Sequence, residues 1–188
     1  MDKQQHNISN YQRIARLMAK SHLRRLFKPD CLSMLPELNL QENIKILDVG
    51  CSNGRLLFRL ASFLNDAELH GTDDNPRQIH KNQARNRFEK LDFHCSPADN
   101  LPFENEYFDI VTCTNMMNQF RQRVKALDEM YRVLKSHGEL YLLEGIQNNK
   151  WKNKLDKILR QSKFIRPEKK YLPRTALFSK SYFIHYIK

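Results

Sequence analysis

One stretch limits what this chain can fold into more than any other: Ile44-Lys-Ile-Leu-Asp-Val-Gly-Cys-Ser-Asn-Gly-Arg-Leu-Leu57. Its first half is a short apolar run, Ile44, Ile46, Leu47 and Val49, which predicts a buried strand. From 54 to 64, Leu56, Leu57, Leu60 and Phe63 recur at helical spacing and predict a helix. Between them lies a turn of small residues, Gly50-Cys-Ser-Asn-Gly54. Strand, tight turn and helix in this order place the turn at the carboxyl end of a parallel strand, where open α/β sheets bind ligands. Glycine there allows left-handed backbone and close approach of a ligand. The turn matches neither common phosphate fingerprint. No Lys-Ser/Thr pair follows it, Ser52 holds the middle position, and a third glycine is missing. A plain strand–helix turn without a ligand is the competing reading at this point.

The rest of the chain repeats the alternation. Strands are predicted at 67–72, 91–96, 108–114, 139–144 and 181–187. Helices are predicted from Pro76 to about residue 90, over 121–134 and over 151–162. Gly138 stands where a glycine would stop the helix that begins at Arg121. This pattern predicts an α/β fold, a doubly wound and mostly parallel sheet of Rossmann-like type with an antiparallel C-terminal strand. The loops after Val49, Thr72, Ser96 and Thr114 should then share one edge of the sheet. An amphipathic helix over 9–27 and a short helical piece at 31–35 make 1–43 an N-terminal helical cover. Residues 44–188 form the main domain, with a single domain overall.

Charge is unevenly spread. The net charge is +11, yet residues 31–144 hold 13 Lys/Arg against 17 Asp/Glu. Residues 1–30 hold seven against two, and residues 145–188 hold 12 against two. Basic ends attract anionic partners: nucleic acid, lipid headgroups or an anionic small molecule. A lysine-rich solvated surface explains them equally well. The apolar runs fall short of the roughly 18 residues of a membrane span, and the N-terminus lacks a signal-peptide core. Cys31, Cys51, Cys95 and Cys113 are widely spaced, without a CxxC pair or histidine cluster, so buried free thiols, no metal and a cytoplasmic setting are expected.

Four motifs, in order, carry a resemblance. Leu47-Asp-Val-Gly-Cys-Ser-Asn-Gly54 is similar to Leu-Asp-x-Gly-Cys-Gly-x-Gly. Gly71-Thr-Asp73 is similar to an acidic ending of the second strand. Leu101-Pro-Phe-Glu-Asn-Glu-Tyr-Phe-Asp-Ile-Val111 is similar to a Leu-Pro-Phe…Phe-Asp-x-Val block. Glu129-Met-Tyr-Arg-Val-Leu-Lys-Ser-His-Gly138 is similar to Glu-x-x-Arg-Val-Leu-Lys-Pro-Gly-Gly. Together they resemble the class I S-adenosylmethionine-dependent methyltransferases of the type 11 group, over about residues 44–144. The resemblance implies S-adenosylmethionine as cofactor and a binding set of Asp48, Gly50, Cys51, Ser52, Gly54, Asp73, Asp74, Pro97, Ala98, Asp99, Thr114 and Asn115. Asp48 is expected either to hold the ligand's ammonium or to order the turn. Asp73 is expected to accept from both ribose hydroxyls. Its other role would be a helix cap, for which Asp74 or Asn75 is better placed.

The chain departs from the family at Ser52, at Ser136-His137, and at Pro97, where the family carries an acidic residue that holds the adenine amine. Asp99 is the substitute within reach. Thr114-Asn-Met-Met-Asn-Gln-Phe120 stands where nucleobase-amine methyltransferases carry Asn/Asp-Pro-Pro-Tyr/Phe. It offers Asn115, Asn118 and Gln119 to line the transfer site, with Met116 and Met117 packing on the sheet. His70, His94 and His137 read as structural, and no catalytic residue is assigned. The leading expectation is methyl transfer to a small-molecule acceptor, possibilities including an anionic one. The alternatives are an RNA or protein methyltransferase, or a non-catalytic cofactor-binding subunit.

Overall fold

Ile46, Leu47 and Val49 are all fully shielded from solvent, so the strand that carries them must be covered on both faces. The computed structural model describes residues 31–146, 148–164, 168–172 and 180–188. It sets β1 (Lys45–Val49) inside a seven-stranded sheet of order β3-β2-β1-β4-β5-β7-β6. β2 (Glu68–Asp73), β3 (Leu91–Cys95), β4 (Phe108–Thr114) and β5 (Leu134–Ile146) run parallel to it. β7 (Lys180–Ile187) is antiparallel to β5, and β6 (Glu168–Leu172) is antiparallel to β7.

Alternate side chains of each strand feed different cores. On one face Ile46, Ile110, Tyr141 and Leu143 pack under a 3-10 turn (Cys31–Glu37), α1 (Arg55–Ala61) and α2 (Pro76–Arg85). On the other, Leu47, Val49, Val111 and Leu142 pack under α3 (Arg123–Val133) and α4 (Asn149–Gln161). The sheet is doubly wound, as expected. The chain leaves β1 toward β2 and β3, then returns to lay β4 on the other side of β1. The loops after β1 and β4 therefore part, and this opens a crevice at the carboxyl edge.

Several expectations need correction. Gly138 does not stop the helix before β5. That helix ends at Val133, and Leu134 is already extended and paired with Phe108. The register then shifts, so that Ile110 meets Glu139, and residues 135–138 bulge. His137 takes the left-handed turn there, at φ 65°. Gly138 is needed because a Cβ would stand 2.9 Å from the Lys135 carbonyl oxygen. Helix α2 stops at Arg85 rather than near residue 90. The Asn86 side chain bonds the Leu91 carbonyl (2.5 Å) and accepts from the Phe88 N–H (3.0 Å), and these local bonds replace helical ones. Of the cysteines, Cys51 and Cys113 are buried, but Cys95, the last residue of the edge strand β3, is exposed although it shares a face with the buried Leu91 and Phe93. The helix read over 9–27 lies outside the described residues. No helix among the described residues is long and apolar enough to cross a membrane.

Candidate cofactor and active site

The turn after β1 is built on backbone bonds that only unusual dihedrals allow. The N–H groups of Gly50 and Cys51 both donate to the Thr72 carbonyl at 2.8 Å, tying the turn to the end of β2. Gly50 sits at φ 74° and Gly54 at φ 64°. Ser52, which replaces the family's middle glycine, is itself at φ 47°. A non-glycine residue there costs roughly 1–2 kcal/mol. Its two backbone groups offset the strain. Its N–H donates to Asp73 Oδ2 (2.9 Å), and its carbonyl accepts from the buried Asn82 Nδ2 (2.7 Å). Asp73 Oδ1 accepts the Asn75 N–H at 3.0 Å, and Asn75 caps α2. Asp73 thus orders the turn while keeping lone pairs on both oxygens.

Above the turn lies a cavity of about 420 Å³, within the usual range for small-molecule sites. Six of the twelve residues singled out from sequence line it: Gly50, Asp73, Asp74, Pro97, Ala98 and Asp99. The other six do not. Asp48 is buried on β1 and accepts from Thr112 Oγ1 at 2.7 Å. The buried Cys51 thiol is pushed above its usual range by burial and by the carboxylates of Asp48 and Asp73. Ser52 is exposed. Gly54 lets Phe93 and Phe58 close on the turn. Thr114 donates to Met34 Sδ at 3.1 Å. Asn115, at φ 56°, latches β4 to β5 by its N–H to Leu143 and its Oδ1 to the Gly145 N–H.

Thr72, Ser96, Met116, Phe120, Arg121, Gln122 and Ala126 also line the cavity, together with Gln119, which sequence had offered for the transfer site. Thr72 and Ser96 had a sequence signal, since each ends a strand next to an assigned loop. Within the 116–126 segment Gln119 had such a signal, but Phe120, Arg121, Gln122 and Ala126 had none, because the fold of this segment over the cavity depends on tertiary packing. Met117 packs in the core as expected, but Met116 lies over Gly50 in the cavity wall. His70 and His94 are bonded to each other (3.1 Å) and stacked, away from the cavity, in the structural role expected of them.

A clamp that spacing alone did not reveal sets the far wall. Glu129 and Arg132 pair through both carboxylate oxygens at 2.7 Å. Arg132 donates to the carbonyls of Phe103 (2.7 Å) and Leu101 (3.0 Å) and to Asn105 Oδ1 (3.0 Å), and Glu129 accepts the Leu101 N–H at 2.9 Å. These bonds fix the loop that begins at Pro97.

The wall's chemistry fits a nucleoside with an amino-acid end better than a phosphate. Among the described residues three carboxylates, Asp73, Asp74 and Asp99, and one guanidinium, Arg121, line the cavity, and no lysine does. Among the described residues, the buried hydroxyls of Thr72 and Ser96, two residues of the cavity lining, have no hydrogen-bond partner. A methyltransferase-domain family model matches residues 47–142, just over half of the chain. The chain belongs to the methyltransferase-domain family. The family's description, a methyltransferase domain, is the class that the four motifs resemble. A phthiotriol/phenolphthiotriol dimycocerosates methyltransferase of Mycobacterium leprae is 34% identical over 56% of this chain and 39% of its own length. The ubiquinone/menaquinone biosynthesis C-methyltransferase UbiE of Campylobacter jejuni is 30% identical over 60% of this chain and 49% of its own. The chain thus spans about half or less of the length of these curated relatives. A SAM-dependent methyltransferase of Aquifex aeolicus superposes with a TM-score of 0.72 over 94% of this chain and 97% of its own, at 16% identity, a likeness of fold.

Two buried carboxyls give this family member a pH signature. Burial pushes Asp48 up to about 7, against the Thr112 hydrogen bond and with help from Asp73. Burial likewise pushes Glu144 up to about 7, although it accepts the Met117 N–H at 2.8 Å. Both hold protons in the folded chain at pH values where the unfolded chain has released them. Each therefore withdraws stability as pH rises from about 4 to 7. His94, held low by burial, acts in the opposite direction, so a variant isolates the effect. Asp48→Asn should gain stability relative to the parent between pH 5 and pH 8. Parallel urea-melt differences at the two pH values would show that Asp48 is ionised at both.

Proposed function

We propose that this chain transfers a methyl group from S-adenosylmethionine to a small-molecule acceptor, with the cavity over Gly50 as the reaction site. The observation that carries the reading is the convergence of Gly50, Asp73 and the unpartnered Thr72 and Ser96 hydroxyls at the carboxyl edge of β1, β2 and β3. When bound, the cofactor supplies an electrophilic methyl group on a sulfonium centre. Asp73 would receive the ribose hydroxyls on its remaining lone pairs. Gly50 gives the amino-acid end access to backbone. Asp48 is better suited to ordering strand ends than to meeting the ammonium, since Thr112 holds its carboxyl away from the cavity. Gln119, Phe120, Arg121 and Gln122 form the wall left for the acceptor, offering one apolar face, two amides and one cation. Orientation by that wall can contribute roughly 7–11 kcal/mol of the barrier. The curated relatives named for quinone and lipid substrates support a small organic acceptor.

A labelled-methyl transfer assay on extract separated into small molecules, lipids, RNA and protein tests the reading. Label is expected in the small-molecule or lipid fraction. Label in RNA or protein would overturn the acceptor class.

Asp73→Ala should lower S-adenosylmethionine affinity about tenfold to a hundredfold, from lost charge-assisted bonds of roughly 1.5–3 kcal/mol. Unchanged affinity by calorimetry would remove the ribose role. Asp99 stands beside Pro97 and Ala98 in the cavity wall, on a turn closed by the Asn100 N–H to the Pro97 carbonyl at 3.2 Å. That bend supports Asp99 as the adenine-amine acceptor in place of the family's residue at Pro97. Asp99→Asn should then weaken cofactor binding by about one hydrogen bond, on the order of 1 kcal/mol. An Asp99→Asn chain that binds as tightly as the parent rules out the substitution.

A further inference from the structure

A second concave site lies on the α1–α2 face, outside the cofactor cavity. It is a groove of about 460 Å³ between the 3-10 turn, α1 and the end of α2. Arg55, Arg59 and Arg85 line it together with Asn53, Phe58 and Ser62, and among the described residues no carboxylate does. This is unexpected in a segment, 31–144, where acidic residues outnumber basic ones by 17 to 13. Arg55 and Arg59 are four apart on one helix, a spacing at which like charges repel. Arg85 is held in place. Its Nη2 donates to Asn82 Oδ1 at 3.1 Å, and its guanidinium lies 4.5 Å over the Phe58 ring. Neither Arg59 nor Arg85 forms an ion pair with another described residue.

We propose that this groove binds a phosphate group. Guanidinium forks match phosphate oxygens two at a time, and an anion between Arg59 and Arg85 would be held by two of them. Asn53 and Ser62 add neutral polar groups at the rim. A nucleic-acid strand fits less well. Phe58, the one aromatic ring among the described residues lining the groove, has Arg85 over one face and packs against Phe88 and Phe93 at 6.5 and 5.3 Å, a poor platform for stacking bases. The phosphate comes either free, as inorganic phosphate or a small monoester, or on a lipid headgroup.

The test uses the full chain at constant ionic strength. Inorganic phosphate is titrated by calorimetry, and cosedimentation is measured with phosphatidylglycerol and phosphatidylcholine vesicles. Arg59→Gln with Arg85→Gln should weaken the binding at least tenfold. Arg77→Gln with Lys81→Gln, an equal charge loss elsewhere on α2, should leave it unchanged. Saturation by inorganic phosphate identifies a free phosphate. Sedimentation with phosphatidylglycerol alone identifies a lipid headgroup. Circular dichroism and thermal melts of the variants report folding independently of any methyltransferase assay. Binding of neither probe by the parent chain, or equal losses in the groove variant and in the Arg77→Gln, Lys81→Gln control, would overturn the proposal.

Discussion

Gly50→Val should abolish measurable S-adenosylmethionine binding and lower stability by about 2–5 kcal/mol. Two costs add. Gly50 lies at φ 74°, a region closed to a β-branched residue. A Cβ there would also overlap Met116 Cγ and stand 2.9 Å from Met116 Cε. Met116 and Gly50 both line the cavity, so relief by moving Met116 would disturb the cavity wall itself. Gly50→Ala separates the terms. With Met116→Ala added, the steric part should be relieved and the dihedral part should remain, so the double variant should recover some stability but not all of it. Thermal melts and calorimetric titration read both effects. Wild-type affinity in Gly50→Val would mean that the cofactor does not approach this backbone.

Arg132→Ala should cost about 2–4 kcal/mol of stability and weaken cofactor binding, although Arg132 does not line the cavity. The alanine leaves the Leu101 and Phe103 carbonyls without their Arg132 donor and leaves the Glu129 carboxylate only the Leu101 N–H. Glu129 is held below the usual carboxylate range chiefly by its hydrogen bond to Arg132 and would lose that support. The side chain is 30% exposed, so water replaces part of what is lost. Arg132→Lys keeps the charge but not the fork and should fall between parent and alanine. Urea melts give the stability, and titration gives the affinity. A lysine variant indistinguishable from the parent would show that charge, rather than fork geometry, holds the loop.

This clamp shows how much of the site could be read from the chain. The Glu129-x-x-Arg132 spacing helped to identify the family, but its mechanical meaning required seeing residues 28 and 31 positions away, at Leu101, bonded to it. Spacing along one helix predicts neighbours on that helix and nothing beyond it.

The alternation of apolar runs and amphipathic stretches determined the strand and helix order, and Gly50 and Gly54 marked the ligand turn. Those features are local: the period of burial and the need for positive φ are written in consecutive residues. Tertiary structure decided what long-range contacts decide. It bent β5 at a register shift that brought Leu134 beside Phe108, so the helix ended before its glycine. It turned Asp48 toward Thr112 and away from the cavity, and it brought Met116, Phe120 and Arg121 over Gly50. Side-chain direction at a strand end depends on which neighbour strand offers a partner, and that neighbour, here β4, lies 64 residues further along the chain.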